Sequence, residues 1–382
     1  MTIPDIKTSR VQVAFAAGVV CMISLLVSPA GAQSAANQEQ PKVVIEDDGT
    51  VRVPAQAVPV SAYLSPEGKA YLTAHLKAMQ RIGGTSQGTL MKGFLDRQHI
   101  LYPTDREDTK IAGVHTFIYT PKAGIPDANK NRVLIDLHGG GFSGCWPACA
   151  ELESIPVAAL GRIKVVAVDY REAPDHKFPA ASEDVAAVYK ELLKTYPAQN
   201  IGIYGCSAGG SLTAMSVAWF QTHGLPRPAA VGIFCASAGT PAGLGRGSGD
   251  GAYTAVPLGE SRLGTVPAAS GRGGTSAGYL DGTNPADPMV NPINSPDILS
   301  KFPPTLMITA TRGMELSAAL YTHQQLVRLG VEADLHVWEG LFHGFFYDPD
   351  VPECKDAYNV MVKFFDKHLA KGSPPLSAKG GR

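Results

Sequence analysis

A serine between two glycines is the residue of this chain most suited to covalent chemistry. Residues 205–210 read GCSAGG, after the apolar run 201–204 and before a segment with helical spacing. A strand, the pattern G-x-S-x-G and a helix together form a nucleophile elbow, in which a strained turn exposes the serine hydroxyl. We therefore predict that Ser207 is a nucleophile, with Gly205 and Gly209 giving the backbone room to turn.

Three consecutive glycines follow an apolar strand upstream. Residues 133–137 read VLIDL and run into HGGGF at 138–142. Backbone N–H groups in such a loop are not obstructed by side chains, and they can stabilise the oxyanion that develops in acyl transfer. We expect the N–H groups of Gly139, Gly140 and Ala208 to form an oxyanion hole.

The same loop also fits a dinucleotide-binding pattern. Gly139, Gly141 and Gly144 match G-x-G-x-x-G. Asp169 closes a later apolar strand, where a ribose-binding acid could lie. The glycines do not open a helix, however, because Pro147 follows where a first helical turn should propagate. We therefore favour the oxyanion hole over the nucleotide site.

A histidine late in the chain is placed to act as the base. His343 lies on a glycine-flanked loop after the strand-like residues 333–337. In one arrangement of the serine triad the chain order is serine, acid, histidine. We predict that His343 is the general base. Six other histidines, among them His75 and His115, lie in segments with structural explanations.

The acid of the triad should follow the strand-like residues 305–310, where a loop can reach the back of the imidazole. The loop 311–317 contains one carboxylate, Glu315, which we predict to be the acid. Asp334 and Glu339 are the alternatives.

Taken together, the motifs resemble those of the hormone-sensitive-lipase-like family of α/β-hydrolases, which contains many bacterial carboxylesterases. The elbow matches that family's G-x-SAGG motif, with Cys206 where aspartate is usual. The other matching segments are HGGGF at 138–142, DYREAP at 169–174, FPA at 178–180 and the DP-containing stretch 284–292.

This resemblance implies an α/β-hydrolase fold, with a mostly parallel central sheet, helices on both faces and a helical cap. It also implies that Ser207 is the nucleophile, that His343 is the base and that the oxyanion donors are those named above. The acid position also departs from the family pattern, because Gly313 stands where an aspartate is usual. Glu315 would then act as the acid from two residues further on.

The implied activity is hydrolysis of carboxylic esters with short acyl chains through an acyl-enzyme on Ser207, without a metal or an organic cofactor. A deacetylase acting on acetylated carbohydrates or xenobiotics would use the same triad. A pseudoenzyme that binds small ligands is the alternative from another class, and Gly313 is the feature that supports it. The expected partner is a small-molecule ester, and homo-oligomerisation is left open.

The length and composition of the chain limit the number and kind of domains that it can form. The chain has 382 residues, 45% of them hydrophobic, which is enough for one α/β domain with a cap. Its formal net charge of −1 argues against nucleic acid as a partner.

We expect residues 33–110 to form an exposed arm and an N-terminal cap segment, and residues 111–370 to form the catalytic domain. Residues 239–282 are expected to be a lid, a pocket wall or a disordered insertion, and residues 371–382 a disordered tail.

The N-terminal segment 1–32 is typical of a secretory signal peptide. Two basic residues precede an apolar stretch at 11–27, and an A-x-A cleavage site follows at 30–32. We expect a mature chain that begins at Gln33, is periplasmic or secreted, and is not inserted in a membrane. An uncleaved membrane anchor is the alternative.

Export would place the cysteines in an oxidising compartment, which affects whether they form disulfides. In an oxidising compartment Cys145 and Cys149 are close enough in sequence to form a small disulfide. Cys206 and Cys235 lie in apolar strand contexts and are expected to be inert core thiols. No set of ligands with the spacing of a zinc site is evident.

Periodicity predicts the elements around these motifs. We expect helices at 65–82, 181–196, 317–329 and 355–369, and a sheet that starts at 115–120.

Two acidic residues lie close behind the glycine loop. We interpret Glu151 and Glu153 either as lining the mouth of the pocket or as carboxylates favoured by the dipole at a helix N-terminus.

Overall fold

The computed structural model describes residues 43–49, 51–52, 57–80, 85–239 and 278–370. The expected signal peptide, most of the segment 239–282 and the C-terminal tail lie outside the described residues. The chain divides into two compact units, residues 1–57 and 58–382. In the first unit, strand β1 pairs antiparallel with strand β2.

The second unit is built on a central sheet whose described part has eight strands in the order β10-β9-β8-β7-β5-β6-β4-β3. Strands β5 to β10 run parallel, and β4 and β3 form an antiparallel edge. The strands are β1 Val44–Ile45, β2 Val51–Arg52, β3 Thr104–Ile111, β4 Val114–Pro121, β5 Val133–Leu137, β6 Lys164–Val168, β7 Ile201–Cys206, β8 Ala230–Phe234, β9 Thr305–Arg312 and β10 Ala333–Phe342.

Helices cover both faces of this sheet. The α-helices are α1 Pro66–Gln80, α2 Thr85–Leu101, α3 Ala148–Gly161, α4 Ala180–Leu192, α5 Ala208–Thr222, α6 Pro296–Leu299, α7 Leu316–Arg328 and α8 Pro352–His368. Within the part of the chain that the structure describes, none of them is long and apolar enough to cross a bilayer.

Alternate strand residues pack into two apolar cores, one on each face. On β5, Val133 and Ile135 belong to the core that includes residues of α4, α5 and α7, whereas Leu134 belongs to the core that includes residues of α3 and α8. Every residue of β5, β7 and β8 is buried. Strands buried on both faces read as continuous apolar runs, which explains the sequence AVGIF and, apart from the buried Asp136, the sequence VLIDL. The mostly parallel central sheet with helices on both faces, as predicted from the sequence, is confirmed.

Three boundaries differ from the sequence prediction. The sheet starts one strand earlier, at β3, whose sequence TDREDTKI is mostly exposed and therefore lacks the apolar signal. The helix expected at 181–196 ends at Leu192, and the last helix begins earlier, with Pro352 in its first turn. Proline suits that position because the first helical N–H groups have no intrahelical acceptor.

The loops that carry the chemical motifs all leave the carboxyl edge of the parallel strands. The glycine loop follows β5, Ser207 follows β7, the loop containing Glu315 follows β9, and His343 follows β10. The chain places β6 and β7 on opposite sides of β5. A crevice forms where the strand order reverses in this way, and ligands of open α/β sheets bind there.

The turn after β7 depends on two glycines that lie against the end of β5. A Cβ atom on Gly209 would stand 1.5 Å from the carbonyl oxygen of Leu137, and one on Gly205 would stand 2.2 Å from the same oxygen. No side chain fits in that space, so these glycines allow β5, β7 and α5 to converge beneath Ser207.

We predict that Gly209→Ala destabilises the protein by roughly 3 kcal/mol or more, because strand β5 and helix α5 would have to separate. Urea denaturation followed by circular dichroism measures this change. The matched control is Gly93→Ala on α2, where a Cβ atom meets nothing within 4 Å. That variant should gain up to about 1 kcal/mol from the better helix propensity of alanine. Equal stability of the two variants would contradict the packing argument.

Candidate active site

Ser207 occupies a strained backbone position between strand β7 and helix α5. Its φ is 57° and its ψ is −118°, and its N–H donates to the carbonyl of Phe234 (2.8 Å). A non-glycine residue persists in such a conformation only where the surrounding structure holds it there. The turn brings the serine hydroxyl to the wall of a cavity.

Ser207, His343 and Glu315 form a continuous hydrogen-bonded chain. The Ser207 Oγ lies 2.9 Å from His343 Nε2, and His343 Nδ1 lies 2.8 Å from Glu315 Oε2. The hydroxyl of Thr309 donates to the other oxygen of Glu315 (2.8 Å). With Nδ1–H donating to the carboxylate, Nε2 is left as the acceptor for the serine proton, which is the tautomer that a general base requires. The structure therefore brings together all three residues proposed from the sequence.

Gly313 is explained by the path of the Glu315 side chain. A Cβ atom on Gly313 would stand 2.6 Å from Glu315 Oε1 and 3.0 Å from its carboxyl carbon. The carboxylate of Glu315 thus fills the space that a side chain at position 313 would take. Glutamate is one methylene longer than aspartate, which lets it reach this space from two residues further along the chain. The alternatives Asp334 and Glu339 both lie within β10 itself.

The electrostatics of Glu315 favour its ionised form. Burial by itself would raise the pKa of this carboxyl, but the adjacent His343 ring and the Thr309 hydroxyl outweigh it, so that the pKa is lowered. A carboxylate beside the imidazole stabilises the imidazolium that forms when the histidine takes a proton.

The glycine loop differs in one respect from the expectation. The N–H of Gly139 donates to Glu153 Oε1 (3.1 Å), so it is not available to an oxyanion in this structure. The N–H groups of Gly140 and Gly141 donate to no acceptor among the described residues. Ala208 is the first residue of α5, where N–H groups have no intrahelical acceptor. The assignment of Gly139 as an oxyanion donor is therefore corrected, because Glu153 takes up its N–H.

The histidine of the HGGGF motif is a structural residue. His138 is fully buried, its ring stacks on Tyr170 with the ring centres 4.5 Å apart, and its carbonyl accepts a hydrogen bond from the Tyr170 hydroxyl (2.7 Å). Burial lowers the pKa of His138 to about 4, which keeps the ring neutral near pH 7. These contacts fix the start of the glycine loop.

The dinucleotide alternative finds no support in the same region. Helix α3 begins at Ala148, well after Gly144, so the glycines do not open it. The carboxylate of Asp169 lies 2.8 Å from His115 Nδ1 and is held in that pair.

A cavity of about 590 Å³ opens beside Ser207 and His343. Helices α1 and α2 form part of its wall through Tyr71, His75 and Phe94, so the N-terminal segment does contribute to the site. His75 stacks flat on Phe342, with the ring centres 3.6 Å apart. The position of His75 in the cavity wall could not be predicted from the sequence, because the contact joins residues far apart in the chain.

The interpretation of Glu151 and Glu153 as lining the pocket mouth is wrong. Neither residue lies in the cavity wall. Glu151 pairs with Arg106 of β3, and Glu153 is buried beneath the glycine loop. Spacing along the chain could not show that these two residues lie outside the cavity wall, because both belong to one stretch of α3 that is buried throughout.

The cavity wall also contains a disulfide between Cys145 and Cys149. Their Cα atoms are 5.4 Å apart, within the range that a disulfide spans. Cys206 and Cys235 are buried free thiols, and burial raises the pKa of Cys206 well above its usual value. A protonated thiol is a poor nucleophile, so Cys206 does not compete with Ser207.

One group among the described residues has ligand atoms close enough to hold a metal ion. The ligand atoms of Cys235, Glu315 and His343 lie within 4.8 Å of one another. Both ring nitrogens of His343 are already hydrogen-bonded, one to Glu315 and the other to Ser207. A metal bound there would have to displace one of these bonds.

Comparison with known proteins agrees with this geometry. The model of a family with the α/β-hydrolase fold matches residues 134–347, more than half of the chain. The chain belongs to this family. The matched region includes the glycine loop, Ser207, Glu315 and His343.

Curated relatives of the chain include an acetyl-hydrolase and a carboxylesterase. An acetyl-hydrolase of Streptomyces hygroscopicus is 27% identical over 249 residues, which cover 65% of this chain and 79% of the relative. The carboxylesterase/phospholipase LipF of Mycobacterium tuberculosis is 28% identical over 245 residues, 63% of this chain and 64% of the relative.

Solved structures extend the comparison. The crystal structure of esterase E25 is similar with a TM-score of 0.69 and 27% identity, over 84% of this chain and 99% of that one. An esterase from the bacterial hormone-sensitive lipase family shares the fold, with a TM-score of 0.66 and 24% identity over 80% of this chain and 99% of that one. This member of the family is a carboxylic ester hydrolase, and neither its geometry nor its relatives support the pseudoenzyme alternative.

The position of the acid can be tested by moving it. We predict that Glu315→Gln lowers kcat by about 10⁴-fold, because an amide beside Nδ1 favours the wrong imidazole tautomer. The double variant Gly313→Asp/Glu315→Ala places a carboxylate in the same space from the earlier position. It should be at least about tenfold more active than Glu315→Ala alone, as measured by p-nitrophenyl butyrate hydrolysis.

Two outcomes would contradict this account of the acid. One is a kcat for Glu315→Gln within a few-fold of the wild-type value. The other is a double variant that folds normally but is no more active than Glu315→Ala. Gly313→Asp alone serves as the control, because its new side chain would collide with the Glu315 carboxylate.

Proposed function

We propose that Ser207 is the nucleophile, His343 the general base and Glu315 the orienting acid of ester hydrolysis through an acyl-enzyme. The observation that carries the proposal is the chain of hydrogen bonds of 2.9 Å and 2.8 Å that joins the three side chains. A hydroxyl paired with a base that is itself oriented by a third group is the arrangement that activates a serine.

The reaction proceeds in two halves. His343 Nε2 takes the proton of Ser207 as Oγ attacks the ester carbonyl carbon, and the resulting tetrahedral intermediate collapses when the C–O bond to the alcohol breaks. The imidazolium gives its proton to the departing alcohol. A water molecule, deprotonated by His343, then attacks the acyl-enzyme, and the carboxylic acid leaves as Ser207 recovers its proton.

The oxyanion of each tetrahedral intermediate would be stabilised by backbone donors. Gly140 and Ala208 remain the proposed donors from the sequence prediction, and Gly141 is the next N–H along the same loop. Donors fixed in place before the reaction are effective because no reorganisation is needed when the charge develops.

The cavity supports an apolar ester as substrate. Aromatic rings of Tyr71, Phe94 and Phe342 contribute to its wall, and they offer apolar surface to an acyl or alcohol group. A short acyl group, as in the name of the acetyl-hydrolase relative, is compatible with this cavity. We therefore favour simple apolar esters, with acetylated carbohydrates as the second candidate.

We also propose that the protein is exported, either to the periplasm or to the medium. The support is the signal-like pattern of residues 1–32 together with the Cys145–Cys149 disulfide. Disulfides persist in oxidising compartments and are rare in the reducing cytosol.

The wild-type protein starting at Gln33 is expected to hydrolyse p-nitrophenyl butyrate, and Ser207→Ala should reduce kcat by at least about 10³-fold. A fluorophosphonate should label the wild-type protein once, on the peptide that contains Ser207. Acetylated xylose assayed in parallel separates the two substrate candidates. Unchanged labelling of Ser207→Ala would contradict the assignment of the nucleophile.

Processing can be checked in a bacterial host that expresses the full chain. We expect the periplasmic or secreted protein to begin at Gln33 in N-terminal sequencing, because signal peptidase cleaves after an A-x-A site. Replacing Ala32 by a large residue should block cleavage. A chain that keeps its N-terminus and sediments with membranes would support the anchor instead.

A further inference from the structure

Glu153 is a buried acid that connects the parts of the catalytic site from below. It lies on α3, only 3% of its surface is exposed to solvent, and it is not part of the cavity wall. An acid so deeply buried is uncommon unless its oxygens are hydrogen-bonded. The mechanism proposed above makes no use of it.

Three hydrogen bonds converge on the Glu153 carboxylate. Oε1 accepts from the N–H of Gly139 (3.1 Å) and from the hydroxyl of Tyr347 (2.8 Å). Oε2 accepts from the N–H of Cys206 (3.2 Å). In addition, the backbone carbonyl of Glu153 accepts from the hydroxyl of Tyr204 on β7 (3.1 Å).

Each of the three donors belongs to a different catalytic segment. Gly139 starts the glycine loop and immediately precedes the proposed oxyanion donor Gly140. Cys206 is the last residue of β7 and immediately precedes Ser207. Tyr347 ends the short helical turn that follows His343. A single side chain is therefore bonded to the oxyanion loop, to the nucleophile elbow and to the segment that carries the base.

We propose that Glu153 is a positioning residue, which holds the oxyanion donors, Ser207 and His343 in the relative arrangement that acyl transfer requires. The proposal rests on the proposed function of the site. Glu153 acts through Gly139, Cys206 and Tyr347 and does not touch the substrate.

A carboxyl group suits this role better than an amide. Both oxygens of a carboxyl group have lone pairs that accept hydrogen bonds, and here both accept, whereas the NH₂ group of an amide has no acceptor capacity. Glutamine would place its NH₂ group against one of these donors and leave a buried N–H without an acceptor. Burial raises the pKa of Glu153 to about 8, even though the hydrogen bonds from Tyr347, Gly139 and Cys206 oppose this rise.

The expected effect is on the chemical step. Misplacing a catalytic group by about 1 Å can cost about 100-fold in rate. Substrate contacts in the cavity should be preserved, because Glu153 does not line it. Loss of positioning should therefore lower kcat and leave KM nearly unchanged.

The test compares Glu153→Gln with the wild-type protein in p-nitrophenyl butyrate hydrolysis. We expect kcat to fall by about 30- to 100-fold and KM to stay within about twofold. Affinity for an alkyl boronic acid, which forms a tetrahedral adduct on the serine, should fall in parallel with kcat/KM. A merely structural role would lower the melting temperature without this parallel loss.

The matched control is Glu151→Gln, two residues away on the same helix. Glu151 pairs with Arg106 on β3 and contacts none of the catalytic segments described above. Its variant should keep kcat within about twofold. If Glu153→Gln does not fold, Tyr347→Phe removes one of the three donors and keeps the ring, and kcat should then fall about three- to tenfold.

The outcomes separate this proposal from the function on which it rests. An inactive wild-type protein would overturn the proposed function. An active wild-type protein together with a fully active, folded Glu153→Gln variant would overturn the positioning role alone. A folded variant in which only KM changes would also overturn it, and so would an unchanged kcat in Tyr347→Phe.

Discussion

The close approach of two backbone segments at the carboxyl edge of the sheet is the constraint on which the site depends. The carbonyl oxygen of Leu137 occupies the space where side chains on Gly205 and Gly209 would lie. This contact brings the end of β5 against the turn after β7, so the glycine loop and Ser207 are neighbours as soon as the sheet forms. Glu153 lies under the same junction and bonds to both segments. The strained φ of Ser207 is sustained by this packing.

The acid of the triad shows that the same spatial arrangement can be reached when the carboxylate comes from a different position in the chain. What the imidazole requires is a carboxylate oxygen near Nδ1, and the chain position of that carboxylate is secondary. Glu315 lies just before α7 and turns back over Gly313, where it also accepts a hydrogen bond from Thr309. The absence of a side chain at 313 and the longer acid at 315 are thus two parts of one arrangement. Gly313 is therefore not a sign of lost activity.

The sequence predicted the features that are local in the chain. The apolar runs that form β5 and β7, the elbow around Ser207 and the loop containing Glu315 each lie within a few consecutive residues. The features that it missed depend on distant contacts. The polar strand β3 is stabilised by pairing with β4, the flat stacking of His75 on Phe342 joins residues far apart in the chain, and Glu153 meets its donors only in the folded protein. For the same reason the sequence could not show that the N–H of Gly139 is already bonded.

The most direct test of the whole account is the crystal structure of the protein after reaction with a short alkyl phosphonate ester. The phosphorus should be bonded to Ser207 Oγ, and the phosphoryl oxygen should lie within hydrogen-bond distance of the N–H groups of Gly140 and Ala208. His343 Nδ1 should still contact Glu315, and the N–H of Gly139 should still point to Glu153. A phosphoryl oxygen bound by Gly139, an adduct on another residue, or a Glu315 carboxylate turned away from His343 would contradict the account.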